Sequence, residues 1–291
     1  MTSRRILVTG ASGLIGRAVM RPLQRLGYDV VGLSRSGDTA LRGHLLRDPE
    51  AAAEMAQADT LLHLAWADGP HRMNDVANLN WVIATLRLLQ AFAANGGKRA
   101  VLVGSCAEYD WALGGRFSED SPLRPASVYG AAKAATGLAA MGAADALGVS
   151  LAWARPFFVY GAGEAEGRLL GDLVRGFRAG ATIACSDGRQ RRDYLHVDDL
   201  ALALTQLLQS SVEGAVNIGS GRAIEVRELV LTAARLAGCD HLVHLGERPR
   251  PPGDPDVIEA DIARLRDATG FEPRYDLESG LAAALREEGL A

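Results

Sequence analysis

Three side chains in the first half of the sequence are of types that can move a proton to or from a substrate oxygen. Tyr129 and Lys133 are four residues apart at the start of an alanine-rich segment, so a helix would place both on one face. An ammonium group near a phenol favours the phenolate and lowers a pKa that is otherwise about 10. Ser105 follows an apolar segment at 100–103, a position where ligands bind if that segment is a strand of a parallel sheet. A serine that only forms a turn is the competing interpretation.

The element that would bring a ligand to these residues begins near the amino terminus. A short apolar run, 6–8, is followed by Gly10, Gly13 and Gly16 and then by apolar residues at helical spacing. A strand, a glycine-rich turn and a helix start together direct backbone N–H groups and the helix dipole at an anion. The stretch therefore predicts a pyrophosphate site, although a glycine motif alone is weak evidence.

Strands and helices alternate along the first half of the chain, which predicts an α/β fold with a doubly wound parallel sheet of the Rossmann type. His63 lies inside one apolar run and is interpreted as a core histidine rather than a catalyst. We expect residues 110–126 to form a long polar loop. The predicted strands cover 28–33, 60–64, 100–103 and 215–218, and the predicted helices cover 51–58, 80–95, 130–147, 169–177 and 197–209.

Composition narrows the class of protein. Of the 291 residues 48% are hydrophobic and only 5% aromatic, so the core must consist of small and branched aliphatic side chains, as in a parallel sheet wrapped by helices. The net charge of −4 argues against a nucleic-acid binder. The three cysteines are far apart and show no metal-ligand spacing, which predicts a reducing compartment and no metal. Without a signal peptide or an 18-residue apolar run, the chain is expected to be cytoplasmic and not bound to a membrane.

The end of the second predicted strand bears on the choice of cofactor. A carboxylate there binds a free ribose 2′-hydroxyl, whereas an arginine accommodates the 2′-phosphate of NADP. This chain has Ser34 and Arg35 and no carboxylate, so NADP is preferred, with NAD as the alternative. A solvent-facing arginine in a loop would look the same.

Taken together, these motifs resemble the extended short-chain dehydrogenases/reductases, in the branch of nucleotide-sugar epimerases, dehydratases and reductases. The resemblance runs in order over nearly the whole chain. Its pieces are Thr9–Gly16, His63–Ala65, Ser105–Tyr109, Tyr129–Lys133, Arg155–Gly161, Arg192–Asp199, Val216–Gly219 and Pro252–Asp254.

The resemblance implies a role for each matching residue. Tyr129 would be the acid/base, Lys133 would tune it and bind the nicotinamide ribose, and Ser105 would hold the reacting oxygen. Arg192 and Arg250 match arginines that clamp the substrate diphosphate. Trp66 and the loop that follows it to Met73 would wall the sugar pocket. The implied cofactor-binding residues are Gly10, Ser12, Gly13, Leu14, Ile15, Gly16, Ser34, Arg35, Leu64, Ala65, Tyr129, Lys133 and Pro156.

The resemblance also implies a domain division and a partner. Residues 1–160 would form the dinucleotide-binding domain, to which 193–220 return, and 161–192 with 221–291 would form a smaller α/β substrate domain. Family members commonly dimerise through the helix at 130–147 and the helix before it, so a homodimer is expected.

Departures from the family pattern narrow the reaction. Related 4,6-dehydratases need an Asp-Glu pair directly after the serine, where this chain has Cys106 and Ala107. Fucose-type epimerase-reductases place a catalytic cysteine at the position of Ala107, so Cys106 is one residue out of register. Phe158 stands where many relatives have an asparagine that contacts the substrate diphosphate. His44 falls near the position where relatives often have an aspartate that contacts the adenine.

What remains is hydride transfer at one carbon. The hypothesis is NADPH-dependent reduction of a 4-keto, 6-deoxy nucleotide sugar, with Tyr129 as proton donor and Ser105 steadying the oxyanion. An NAD-dependent nucleotide-sugar 4-epimerase would use the same residues. A dinucleotide-sensing protein without activity is the third reading, and intact Tyr129 and Lys133 count against it.

Overall fold

The computed structural model describes residues 4–35, 41–69 and 71–291. The helices are α1 (Leu14–Arg25), α2 (Pro49–Ala56), α3 (Asn78–Ala94), α4 (Val128–Leu147), α5 (Leu169–Ala179), α6 (Val197–Gln209), α7 (Val226–Leu236), α8 (Ala263–Thr269) and α9 (Leu277–Glu287). The strands are β1 (Arg5–Thr9), β2 (Asp29–Ser34), β3 (Leu41–Arg42), β4 (Thr60–His63), β5 (Arg99–Val103), β6 (Gly115–Phe117), β7 (Ser150–Pro156), β8 (Phe158–Tyr160), β9 (Ile183–Ala184), β10 (Arg191–His196), β11 (Gly214–Ile218), β12 (Ala223–Glu225), β13 (Val243–His244) and β14 (Val257–Ala260).

A seven-stranded parallel sheet forms the centre of the described structure, in the order β11-β7-β5-β4-β1-β2-β3. Successive strand residues point to opposite faces, so Ile6 and Val8 pack with α1 and α6 while Leu7 packs with α2 and α3. Both faces of the sheet are therefore covered by helices. This confirms the predicted Rossmann-like α/β fold, and the apolar strand runs are its cause.

Strand order places three candidate segments at one edge of the sheet. The chain runs from β1 to β2 on one side and continues with β4 and β5 on the other, so the order reverses at β1. In open α/β sheets, ligands bind at this reversal, outside the carboxyl ends of the strands. The glycine turn, the Leu64–Trp66 segment and Ser105 follow β1, β4 and β5, so all three lie at that edge.

The later part of the chain adds a mixed sheet, β12-β10-β14-β6, with β8 paired to β10. Helices α5, α7 and α9 share an apolar cluster of their own that includes Leu173, Leu229 and Leu281. Strand β11 pairs with β7 and α6 packs beside α1, which is the arrangement expected if 193–220 return to the first domain. The domain division itself stays a prediction.

The sequence analysis was wrong about one segment. Residues 110–126 are not only a loop: β6 pairs with β14, and Phe117 is buried among Tyr109, Ile258 and Ala260. A three-residue strand is too short to show a period in the sequence, and its partner lies about 140 residues away. No helix in the described part of the chain is long and apolar enough to cross a membrane.

Candidate active site

The glycine turn is shaped by close backbone approaches. Gly10 has φ +69°, and a Cβ there would lie 2.9 Å from the backbone nitrogen of Ala65. Gly16 lies in the first turn of α1, where a Cβ would be 2.6 Å from the carbonyl carbon of Ala11. Gly13 precedes α1 and has an extended backbone without a capping side chain. The start of α1 is thus pressed against the end of β1, with its first N–H groups open to a ligand.

A cavity of about 670 Å³ extends along this edge of the sheet. Every residue proposed for cofactor binding lines it: Gly10, Ser12, Gly13, Leu14, Ile15, Gly16, Ser34, Arg35, Leu64, Ala65, Tyr129, Lys133 and Pro156. Arg35 is exposed at the end of β2. Nearby His44 also lines the cavity, and its Nδ1 is buried without a hydrogen-bond partner among the described residues. The volume of the cavity, the glycine turn and this buried polar atom fit a dinucleotide.

The three groups proposed for catalysis line the same cavity. Lys133 is 3% exposed, and its Nζ donates to the carbonyl of Val103 at 2.7 Å. The same Nζ lies 3.7 Å from the ring centroid of Trp66 and 6.0 Å from that of Tyr129. The Ser105 hydroxyl oxygen accepts the N–H of Ala107 at 3.1 Å, which leaves its own proton free to be donated. The helix spacing and the strand ends thus bring the three side chains together.

The pKa of Tyr129 differs from the sequence expectation. Burial raises this pKa above the ordinary phenol value, and hydrogen bonding with Ser105 and the charges of Arg168 and Arg72 offset only part of the rise. Burial also lowers the pKa of Lys133 to about 7. The expectation of a lowered pKa for Tyr129 is therefore wrong in this structure, because burial outweighs the groups that lower this pKa. Tyr129 carries its proton at neutral pH.

A buried carboxylate fixes the segment that carries Ser105. Glu108 is fully buried, and its Oε1 accepts the backbone N–H of Ser105 at 2.8 Å. The same carboxylate accepts from Trp153 Nε1 at 3.0 Å and from Arg155 Nε at 2.7 Å, both on β7. Ser105 is thereby tied to the neighbouring strand. The sequence analysis missed this role, although a charged residue between Ala107 and Tyr109 was a visible signal.

His63 is a core histidine, as predicted. Its Nδ1 is 2.8 Å from the hydroxyl of Thr9, and its Nε2 is 2.9 Å from the hydroxyl of Thr85. Burial lowers its pKa to about 3, so the ring is neutral at pH 7. The Thr9 hydroxyl also accepts the N–H groups of Leu64 and Ala65. This network holds the end of β4 against the glycine turn.

The predicted substrate residues separate into two groups. Trp66 lines the cavity, and its Nε1 donates to the Asn78 side chain at 2.8 Å. Arg192 is outside the cavity lining, 5% exposed, and forms an ion pair with Asp254. Arg250 also lies outside the lining and contacts Asp254 and Asp256. Both predicted clamp arginines are thus neutralised by carboxylates in this structure.

Side chains next to Ser105 limit the chemistry. Cys106 is 4% exposed, and burial raises the pKa of its thiol, so a thiolate is disfavoured. Ala107 offers no acid or base. The ring of Phe158 packs at a tilt against the rings of Trp111 and Tyr194 and presents no hydrogen-bonding group. Neither Cys106 nor Ala107 is therefore suited to exchange a proton with a ligand beside Ser105. Tyr129, which lines the cavity together with Lys133, is suited to do so.

Comparison with known proteins identifies the family. The profile of the NAD-dependent epimerase/dehydratase family matches residues 6–219. The chain belongs to this family. It is therefore an NAD(P)-dependent enzyme of the short-chain dehydrogenase/reductase type, and the resemblance stated from the motifs is confirmed.

Curated members of the epimerase/dehydratase family match this chain over nearly its full length. A dTDP-glucose 4,6-dehydratase of Streptomyces griseus is 30% identical, covering 96% of this chain and 92% of that protein. A UDP-glucose 4-epimerase of Azospirillum brasilense is 29% identical, with 96% and 90% covered. A dTDP-4-dehydro-6-deoxy-D-allose reductase of Streptomyces bikiniensis is 27% identical, with 97% and 95% covered.

Among solved structures, MoeE5 in complex with UDP-glucose and NAD is 30% identical to this chain, with a TM-score of 0.84. The match covers 99% of this chain and all of that one. The shared fold extends through both the parallel sheet and the later mixed sheet.

The cavity contains further charged residues that the sequence analysis did not single out. They are Arg17, Asp68, Arg72, Glu164 and Arg168. Arg17 lies on α1 directly after Gly16, and its Nη1 donates to the carbonyl of Ser12 at 2.8 Å. The others come from loops, which carry no periodic pattern. Only their convergence on one cavity distinguishes them from ordinary surface charges.

Proposed function

We propose that this enzyme reduces a 4-keto nucleotide sugar, with a 6-deoxy sugar as the expected class, and uses NADPH. The observation that carries the proposal is the set Ser105, Tyr129 and Lys133 on one cavity, without an acid/base pair beside Ser105. Hydride transfer to one carbon needs one proton donor, whereas dehydration needs a second acid and base. The bound cofactor would supply the hydride.

Each of these three residues has a defined part in the proposed reduction. Tyr129, which holds its proton at neutral pH, donates it to the oxygen of the keto group as charge develops there. Ser105 donates a hydrogen bond to the same oxygen, in a position fixed by Glu108. Lys133 stabilises the phenolate left behind on Tyr129, and its own anchor is the carbonyl of Val103.

The test of Tyr129 is the variant Tyr129→Phe. We expect NADPH oxidation with a dTDP-4-keto-6-deoxy sugar to fall by about 10²–10⁴-fold, because the general acid is removed. Binding of NADPH, followed by its fluorescence, should stay within twofold of the wild type. Activity at the wild-type level in this variant would remove Tyr129 from the mechanism.

The preference for NADP rests on Arg35. Its exposed guanidinium at the end of β2 can pair with a ribose 2′-phosphate. We expect Arg35→Ala to weaken NADPH binding about tenfold while NADH binding is unchanged. Arg47→Ala, an exposed arginine outside the cavity, is the control. Equal losses for NADPH and NADH would contradict a role at the 2′-phosphate.

A 4-epimerase that retains NAD is the second candidate. The full-length similarity to a UDP-glucose 4-epimerase and to a structure with bound NAD favours it. Mass analysis of the cofactor that co-purifies, with assays for UDP-glucose/UDP-galactose interconversion, separates the two. Interconversion without net consumption of NADPH would establish the epimerase and exclude the reductase.

The assembly expected in solution is a homodimer. Leu79 and Ile83 on α3 and Leu138 on α4 are each more than half exposed. The exposed side of α4 around Leu138 is otherwise formed by alanines and Gly142, without a charge before Asp145. Large apolar side chains beside a small-residue surface support close packing against a second copy.

A further inference from the structure

Two arginines, Arg72 and Arg168, line the cavity near Tyr129. Arg72 lies in the segment before α3, and this segment is held against α4 because the Tyr129 N–H donates to the carbonyl of Met73 at 2.9 Å. Arg168 is the residue that precedes α5. Both line the cavity together with Ser105 and Tyr129. They come from parts of the sequence that are nearly 100 residues apart.

Neither guanidinium forms an ion pair within the described part of the chain. Arg72 donates only to the carbonyl of Gly69, at 3.3 Å, and forms no ion pair with a described residue; Arg168 likewise has no ion-pair partner there. Burial and then the charge of Arg168 lower the pKa of Arg72, while the charges of Tyr129, Asp68 and Glu164 partly offset this. By contrast, Arg192 and Arg250 are already paired with carboxylates.

Two carboxylates, those of Asp68 and Glu164, line the same cavity, and neither forms an ion pair with Arg72 or Arg168 in the described structure. Glu164 lines the cavity, but its Oε2 accepts the N–H of Gly171 at 3.0 Å in the first turn of α5. Burial raises its pKa to about 7, so it is only partly ionised at neutral pH. Two guanidinium groups that line one cavity and form no ion pair with a described residue can together bind an anion there.

We propose that Arg72 and Arg168 bind an anionic group of the substrate on the sugar side of Tyr129. The proposal deepens the function given above and rests on its substrate class, a nucleotide sugar. The group is either the diphosphate or a carboxylate carried by the sugar. Both present oxygen pairs that match the planar donors of a guanidinium. The site is separate from Arg192 and Arg250, to which the family pattern assigns the diphosphate.

Binding, rather than turnover, provides the test. UDP, dTDP, UDP-glucose and UDP-glucuronic acid are titrated into the cofactor-loaded protein by calorimetry. The variants are Arg72→Gln and Arg168→Gln, each of which keeps a polar side chain. Arg175→Gln, on the exposed side of the same helix α5, is the matched control. We expect at least a tenfold loss of affinity in each site variant and none in the control.

The pattern of losses identifies the anion. Weaker binding of all four nucleotides places the diphosphate at this pair. A selective loss for UDP-glucuronic acid places a sugar carboxylate there instead. Unchanged binding of every nucleotide in both site variants overturns the inference while the proposed function stands. If the wild type binds none of the four nucleotides, the proposed substrate class and the inference fail together. Loss of turnover in the site variants, together with weakened nucleotide binding, supports the inference.

Discussion

At the scale of single residues, burial decides the protonation states around the cavity. Burial raises the pKa of Tyr129 and lowers those of Lys133 and His63, because a charge is disfavoured wherever water is excluded. The raised pKa of Tyr129 suits reduction, because the protonated phenol is the form that donates a proton. The buried carboxylate of Glu108 remains compatible with the core because Arg155, Trp153 and the Ser105 N–H surround it.

His63 should make stability depend on acid pH. Its pKa is about 3 in the folded state and 6.5 when unfolded, so between these values only the unfolded chain gains the proton. Stability is therefore complete above pH 6.5 and declines as the pH falls towards 3. From pH 6.5 to pH 5, this one group should cost about 2 kcal/mol.

Urea unfolding at pH 7 and pH 5 measures this effect. In His63→Gln the part of the acid loss due to the imidazole should disappear, although the variant is less stable at pH 7 because its contacts with Thr9 and Thr85 change. His241→Gln, at an exposed position, should keep the wild-type slope. An identical slope in His63→Gln would contradict the assignment.

At the scale of elements, the junction between β1 and α1 serves both the fold and the cofactor. Gly16 allows the helix to pack on the backbone at Ala11, and Gly10 allows the approach of the β4 end at Ala65. A Cβ on Gly13 would meet no atom closer than the carbonyl oxygen of Gly10, at 3.3 Å. The three glycines therefore have different physical tasks despite their regular spacing.

These tasks predict different outcomes for two alanine variants. Gly16→Ala forces backbone atoms apart and should lower the free energy of unfolding by about 1–3 kcal/mol. Gly13→Ala should leave the melting temperature near that of the wild type but weaken NADPH binding, because its methyl group enters the anion site. Thermal melts and NADPH titrations of both variants provide the comparison. Equal melting temperatures for the two would refute the distinction.

At the scale of the whole molecule, two sheets and their helices enclose one cavity. The parallel sheet provides the glycine turn, Ser105 and, through α4, Tyr129 and Lys133, whereas the later segment provides Glu164 and Arg168. The exposed apolar residues of α3 and α4 lie away from that cavity, since none of Leu79, Ile83 and Leu138 lines it. Assembly and substrate binding can therefore use different surfaces.

The proposed dimer predicts the effect of a charge on this surface. Ile83→Glu and Leu138→Glu should each convert the protein to a monomer, because a carboxylate would be buried without a partner. Leu231→Glu, on the exposed side of α7, is the control and should remain dimeric. Light scattering coupled to gel filtration gives the mass of each. A monomeric wild type would contradict the proposal directly.

The sequence by itself determined the parallel sheet and the glycine turn, and it predicted the three side chains, Ser105, Tyr129 and Lys133, that line one cavity. These features depend on local patterns: apolar runs, a glycine spacing and an i,i+4 pair, all of which follow from backbone geometry. The bounds of α6 were predicted without error and those of α4 within two residues.

Only the tertiary structure decided the protonation of Tyr129, the tie between Glu108 and Ser105, and the pairing of β6 with β14. It also decided the contrast between Arg192, which is paired with Asp254, and Arg72, which has no ion-pair partner among the described residues. Each of these depends on burial or on partners distant in the chain. Local spacing states which side chains can share a helix face, but desolvation and charge neutralisation arise only when separate segments enclose the same volume.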